Sequence, residues 1–289
     1  RNLQLGHADA ARHRANAQKV GYLPDTFGHL AQMPQILRQA GIGSFVYWRG
    51  HGDEHDRLGL EWWWEAPDGS RVLAINQEDG YVNAAALGHD ELWHAHTRRA
   101  LDPARAVAKV DALFARMAAR SRASTWLLSN GCDHHPPQRE FDAMLAALRA
   151  AYPDTEFTHG SLSDYVADLR ADLAATGADL PAWRGELLGG KTAPILSGVW
   201  SARMNLKRQN AAVQDLLATS SSRCWPTRTS CTASRRIAAW STTAGASCSR
   251  TTRTTASAAA RSTRSTATCR PASPRSARLA STWRAAPSS

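Results

Sequence analysis

The sequence predicts an α/β fold with a mainly parallel sheet. Three observations carry that prediction. Short apolar runs alternate with segments of helical periodicity from about residue 20 to residue 188, the order that builds a parallel sheet covered by helices. Asp25 and Asp133 each stand just after an apolar run and just before a helical one, and α/β folds gather functional groups at strand C-termini. Acidic residues stop at Asp215, so the chain changes character near that point.

Residues 1–18 are polar and helix-compatible. Val20–Leu23 reads as a buried strand ended by Pro24, which has no N–H to give a sheet ladder. A helix over 30–40 follows, closed by Gly41-Ile42-Gly43. Ser44–Tyr47 is a second strand that runs into Trp48-Arg49-Gly50, and residues 51–58 read as a polar loop. Leu60–Glu65 and Arg71–Ile75 flank Pro67-Asp68-Gly69-Ser70, a hairpin signal. Trp62 and Trp64 share one face of the first arm and Trp63 takes the other, with core packing the default. Residues 77–98 are loop-like. Pro103–Ala119 places Val107, Val110, Leu113, Phe114 and Met117 on one helical face. Trp126–Ser129 is a buried strand that ends at Asn130-Gly131-Cys132-Asp133. Helix 138–151, strand 155–158, helix 161–175 and strand 182–188 follow. Ser197–Leu217 reads as a helix.

The net charge of +10 points at first to a nucleic-acid partner. Its distribution says otherwise. Twelve arginines and no lysine lie beyond Asp215, so that segment carries +12 and residues 1–215 carry −2. Nucleic-acid binding through the basic tail is a reading of another class, with a steep salt dependence as its mark; the tail contains no recognisable module. Cys132 is the single cysteine before residue 218, which argues against a disulfide scaffold. No apolar run reaches membrane-span length and no secretory signal is visible. The first residue is Arg and the start reads as the end of a helix, so a truncated N-terminus and a cytoplasmic location are the expectations.

Two carboxylates at neighbouring strand ends suit glycoside hydrolysis, one as nucleophile and one as acid/base, about 5–5.5 Å apart in a retaining enzyme. Asp25 could equally cap the helix that follows it, and Asp133 could be a turn aspartate. The ordered motifs here are Gly-Tyr-Leu-Pro-Asp-Thr-Phe-Gly-His-Leu-Ala-Gln-Met-Pro-Gln-Ile-Leu over 21–37, Phe-Val-Tyr-Trp-Arg-Gly over 45–50, and Gly-Glu-Leu-Leu-Gly-Gly-Lys-Thr-Ala-Pro-Ile-Leu over 185–196. Together they resemble the retaining, zinc-dependent α-mannosidases of glycoside hydrolase family 38, bacterial branch.

The resemblance implies a partial (β/α) barrel, the family's catalytic domain, over 1–196, and the first helix of its helical middle domain over 197–217. It implies hydrolysis of terminal α-mannosides with retention, assisted by zinc, with hydrolysis of mannosylglycerate or its phosphate as the alternative within the family. The implied partner is an α-mannoside, with neither nucleic acid nor membrane. Asp25 takes the places of nucleophile and zinc ligand, and Asp133 that of acid/base. Phe27 would stack on the sugar, Arg49 would orient a catalytic carboxylate, and Tyr81 would contact substrate. Ordinary readings stand beside these: core packing for Phe27, a surface arginine, a loop tyrosine. The family's other zinc ligands come from an early His-x-Asp motif and a later His-Asp motif. The first would precede residue 1, because His7-Ala8-Asp9 lies only sixteen residues before Asp25 and in the wrong context. The second would fall near residue 250, and no histidine follows His159. His29 reads as a helix-start histidine satisfied by hydrogen bonds, and His51, His55, His134 and His135 as loop residues. One remaining ligand implies weak zinc binding or none, and an inert fragment is a third reading.

Residues 218–289 contain no Asp, Glu, Lys, His, Asn, Gln, Val, Phe or Tyr. Such a segment cannot bury enough apolar surface to fold and is expected to be disordered. Its Ser/Thr/Arg/Ala/Pro/Cys composition is what a GC-rich gene gives in a wrong reading frame. Suitable codons for Arg250–Thr255, read one base earlier, spell Asp-His-Pro-His-Asp, which resembles the family's later zinc motif at its expected place.

Overall fold

Helix α1 (Asn2–Arg12) precedes the unit strand–helix–strand, β1 (Gly21–Leu23), α2 (Met33–Gln39) and β2 (Ser44–Tyr47). The computed structural model describes residues 2–92, 100–223 and 266–271. A one-turn helix α3 (His55–Leu58) and the hairpin β3 (Glu61–Glu65) and β4 (Arg71–Asn76) come next. The hairpin turns where expected: Asp68 Oδ1 accepts from the Ser70 amide at 3.0 Å. Then follow α4 (Pro103–Arg120), β5 (Trp126–Ser129), α5 (Phe141–Ala151), β6 (Thr155–Gly160), α6 (Leu162–Thr176), β7 (Ala182–Arg184), α7 (Met204–Arg223) and β8 (Thr266–Pro271).

One sheet has the order β1-β2-β4-β3-β7. β1 pairs with β2, and β2 with β4, in parallel, with Gly21 opposite Phe45 and Ser44 opposite Leu73. β3 lies antiparallel to β4 and parallel to β7. A second sheet has the order β5-β8-β6, with β8 antiparallel to both neighbours. The fold is thus α/β, and its first sheet is parallel apart from the hairpin. One compact unit contains Leu3–Ile195 and β8; a second begins at Leu196.

Helix ends follow local chemistry. The Asp102 side chain caps α4 by accepting from the Ala104 and Arg105 amides at 3.0 and 3.3 Å. Ser161 and Asp164 form a reciprocal box at the start of α6. The inward faces are those the periodicity predicts. Ala106, Val110, Leu113 and Met117 of α4 pack with Leu128, Leu148 and Phe157. Trp62 and Trp64 are buried with Phe45 and Tyr47, while Trp63 faces the α6 side with Leu73 and Leu169. Two buried carboxylates hold the entry to β5. Glu61 accepts from Ser121 Oγ at 2.8 Å and from the Arg122 amide at 2.9 Å. Asp172 accepts from the Ser124 and Thr125 amides at 2.6 and 2.9 Å. Burial pushes the Glu61 carboxyl up to about 7, with those hydrogen bonds opposing.

Several elements differ from the expectation. Residues 51–58 are not all loop: α3 forms over His55–Leu58, with His55 meeting the buried His51 edge-on. The strand after residue 181 stops at Arg184 rather than 188, and α7 starts at Met204 rather than 197. The segment expected to be disordered from 218 contributes the last residues of α7 and strand β8. The remainder of that expectation lies outside the described residues.

Candidate active site

Because β1, β2 and β4 are parallel, their C-terminal ends share one edge of the sheet, the edge where α/β folds bind ligands. Pro24 ends β1 and Asp25 follows it. Trp48 and Arg49 follow β2. The chain leaving β4 enters a 3₁₀ turn, Gly80–Val82, that carries Tyr81. β5 ends at Ser129, and four residues later comes Asp133, which is exposed.

Arg49 is the hub of this edge. Its Nε donates to Asp25 Oδ1 at 2.5 Å, and its Nη1 donates to the Pro194 carbonyl at 2.7 Å. The guanidinium carbon lies 4.2 Å from the centre of a Trp48 ring and 4.7 Å from that of Phe27. One cation is thereby fixed by two oxygens and two aromatic faces, a set only a planar guanidinium can satisfy together. The Asp25 side chain keeps 29 % of its exposure against 13 % for Arg49. The carboxylate is therefore held from one side and still reachable by a ligand.

Tyr81 meets Trp48 edge-on, with ring centres 5.7 Å apart. Gly80 makes that approach feasible. Its φ is +77°, and a Cβ there would lie 2.7 Å from the Trp48 ring. Burial pushes the Tyr81 phenol up, and the carboxylates of Asp25 and Asp133 push the same way, with Arg49 opposing. Tyr22 is raised by burial first, then by Tyr81 and Asp133. The Cys132 thiol is raised chiefly by burial, with the Asp133 backbone opposing and the Asp133 and Asp25 charges adding. Asp25 and Asp133 thus act on the same neighbouring groups. The structure brings Asp25, Phe27 and Arg49 into contact, sets Tyr81 beside them through Trp48, and puts Asp133 within electrostatic reach of Tyr81.

The chain after β7 crosses this edge. His29 bridges Leu187 and Gly50 bridges Gly189 through the backbone, and the Lys191 amide donates to the His51 carbonyl at 3.0 Å. At Gly50, φ is +113° and a Cβ would lie 2.6 Å from the Leu187 carbonyl oxygen. This crossing explains why β7 is short: residues 187–189 bond to the strand exits instead of extending a ladder.

His29 departs from its expected hydrogen-bonded role. Its ring is boxed edge-on by Phe45, Tyr47 and Trp64, and neither ring nitrogen makes a hydrogen bond of good geometry. Burial brings its pKa down to about 4, with the Arg49 backbone opposing part of the shift. His51 lies in the loop as expected, yet its side chain is fully buried and bonded through Nε2 to the Tyr47 hydroxyl. Burial lowers it to about 3, with His55 adding.

Among the described residues no three His, Cys, Asp or Glu side chains are grouped so as to hold a metal ion. Asp25 is the one described residue the resemblance assigns to zinc, and its Oδ1 is engaged by Arg49. These residues do not by themselves form a zinc site.

Sequence reasoning missed the contributions of Trp48 and the Pro194 carbonyl. Trp48 precedes Arg49 in its motif but carries no signal of its own. The Pro194 carbonyl acts across 145 residues of chain, which periodicity cannot register.

Among the described residues no helix is long and apolar enough to cross a membrane. The family model described as Glycosyl hydrolases family 38 N-terminal domain matches residues 1–186. A protein of Halalkalibacterium halodurans named "Putative mannosylglycerate hydrolase" is 33 % identical over 234 residues, which is 75 % of this chain and 24 % of that protein. The crystal structure of an alpha-mannosidase from Enterococcus faecalis V583 superposes with a TM-score of 0.62 at 27 % identity, over 75 % of this chain and 23 % of that one. The chain therefore spans about a quarter of the length of either.

Proposed function

Because the chain belongs to glycoside hydrolase family 38, we propose that its sheet edge carries part of a retaining α-mannosidase centre, with Asp25 as nucleophile and Asp133 as acid/base. The observation that supports this most is the clamp on Asp25. Arg49, itself lying against two aromatic rings, bonds one carboxylate oxygen, which aims the carboxylate for attack on the anomeric carbon. Asp133, on the exposed loop after β5, would protonate the departing oxygen and then activate water. Phe27 would offer its ring to the sugar's apolar face. Tyr81, with its phenol held protonated by burial and two carboxylates, would donate a hydrogen bond to a sugar oxygen.

Zinc enters this reading through the resemblance alone. When bound, it would hold sugar hydroxyls and polarise them. Asp25 would supply one of its ligands.

The natural substrate in this reading is a terminal α-mannoside. The name of the H. halodurans relative favours mannosylglycerate as a second candidate. The test is a panel of 4-nitrophenyl α-mannoside, α-mannobioses and mannosylglycerate. It is run on this chain and on a full-length family member with Asp25, Arg49, Tyr81 and Asp133 at the matching positions. Asp25→Ala is expected to reduce turnover by about 10³-fold or more, as loss of a nucleophile does. Asp133→Asn is expected to slow the natural glycosides by about 10²-fold or more and the aryl glycoside less, since a good leaving group needs little protonation. Equal losses on both substrate types would remove Asp133 from the acid/base role.

A further inference from the structure

Strand β5 makes no described backbone ladder with β4; a side chain stands between them. Asn83 is 3 % exposed. Its Nδ2 donates to the Leu127 carbonyl at 3.1 Å and to the Glu78 carbonyl at 3.0 Å, and its Oδ1 accepts from the Ser129 amide at 2.7 Å. Leu127 O and Ser129 N flank Leu128 on one edge of β5. They are the acceptor and donor that a residue of a parallel neighbour strand would satisfy. The Asn83 amide therefore substitutes for one peptide of a missing strand. Two more bonds tighten the same junction: the Ala84 amide donates to the Ser129 carbonyl at 3.0 Å, and Gln77 Nε2 donates to Ser129 Oγ at 2.8 Å.

Asn83 lies two residues after Tyr81, and Ser129 lies four residues before Asp133. We propose that Asn83 is a positioning residue that sets the Tyr81 turn and the Asp133 loop in register with one another across β5. The inference rests on the reading of Asp25 and Asp133 as the catalytic pair, and its test consumes no substrate, so an inactive chain leaves it open to refutation. The chemistry demands an amide. Two carbonyls face Nδ2 and one N–H faces Oδ1, so a carboxylate would meet two acceptors and an alkyl group would leave all three unpaired.

The test places 3-fluorotyrosine at position 81 of the full chain and reads its ¹⁹F resonance at neutral pH. Asp133→Asn and Asp25→Asn each remove one charge near the ring, and each is expected to shift the resonance. In a double-mutant cycle, Asn83→Ala is expected to cut the Asp133-dependent shift to about half or less while most of the Asp25-dependent shift survives. Asn83→Asp is expected to do the same. Asn83→Ser, which keeps one donor and one acceptor, takes the place of alanine if circular dichroism shows the alanine variant unfolded. An unchanged Asp133 shift in the folded variants overturns the proposal. So does loss of both shifts in equal proportion, because Asn83 would then be a general support rather than a register for β5.

Discussion

At the scale of single residues, Arg49 makes the most demanding set of contacts. It bonds Asp25 and the Pro194 carbonyl while lying between Trp48 and Phe27. Arg49→Lys keeps the charge and loses the fork and the flat face. Chemical denaturation is expected to report a loss of about 1.5–3 kcal/mol, the range for hydrogen bonds to charged groups. Binding of a mannoside should weaken as well, since Asp25 is left unaimed. Asp25 and Arg49 were legible in the sequence because each follows a strand and sits in a distinctive motif. The burial of His29 and His51 was not. A histidine in the polar stretch 51–58 looks solvated in one dimension and one at a helix start looks hydrogen-bonded; only the folded sheet shows Phe45, Tyr47 and Trp64 closing on the His29 ring.

At the scale of elements, most strands and helices were legible because period and turn chemistry agree with packing. The hairpin, α4 and α6 fall within a residue or two of their expected ends. Helix α3 is too short to show a period, and it exists through tertiary contact. Glu61 shows how elements are tied and gives a pH test. Its folded pKa of about 7 lies above the free value of 4.5. The folded state thus holds the proton more tightly, and the associated stability is complete below 4.5 and lost as pH rises through 7. His29 and His51 act in the opposite direction: their folded values of about 4 and 3 lie below 6.5, so their contribution grows as pH rises to 6.5 and is lost in acid. The difference between the wild type and Glu61→Gln isolates the carboxyl. Between pH 4.5 and 7 the wild type is expected to lose stability relative to Glu61→Gln by roughly 3 kcal/mol, read as thermal midpoints across that range.

At the scale of the whole molecule, charge and composition divide near Asp215, and the relatives are about four times longer than the stretch this chain matches. The gene sequence over codons 250–255 is expected to spell Asp-His-Pro-His-Asp when read one base earlier; direct sequencing that finds no such codons removes the frame-shift account. The fold of the matched region follows from local pattern, while the site is completed by parts distant in sequence. The crossing segment makes this plain, since Arg49 and Pro194 are 145 residues apart. That separation has a consequence during synthesis. At 5–20 residues per second, a ribosome needs roughly 7–30 s to travel from one to the other. β1, β2 and the hairpin leave the exit tunnel within that interval with the guanidinium lacking its second acceptor and the Gly50 backbone unbridged. The aromatic-lined sheet edge of the nascent chain therefore stays uncovered until residues 187–194 emerge.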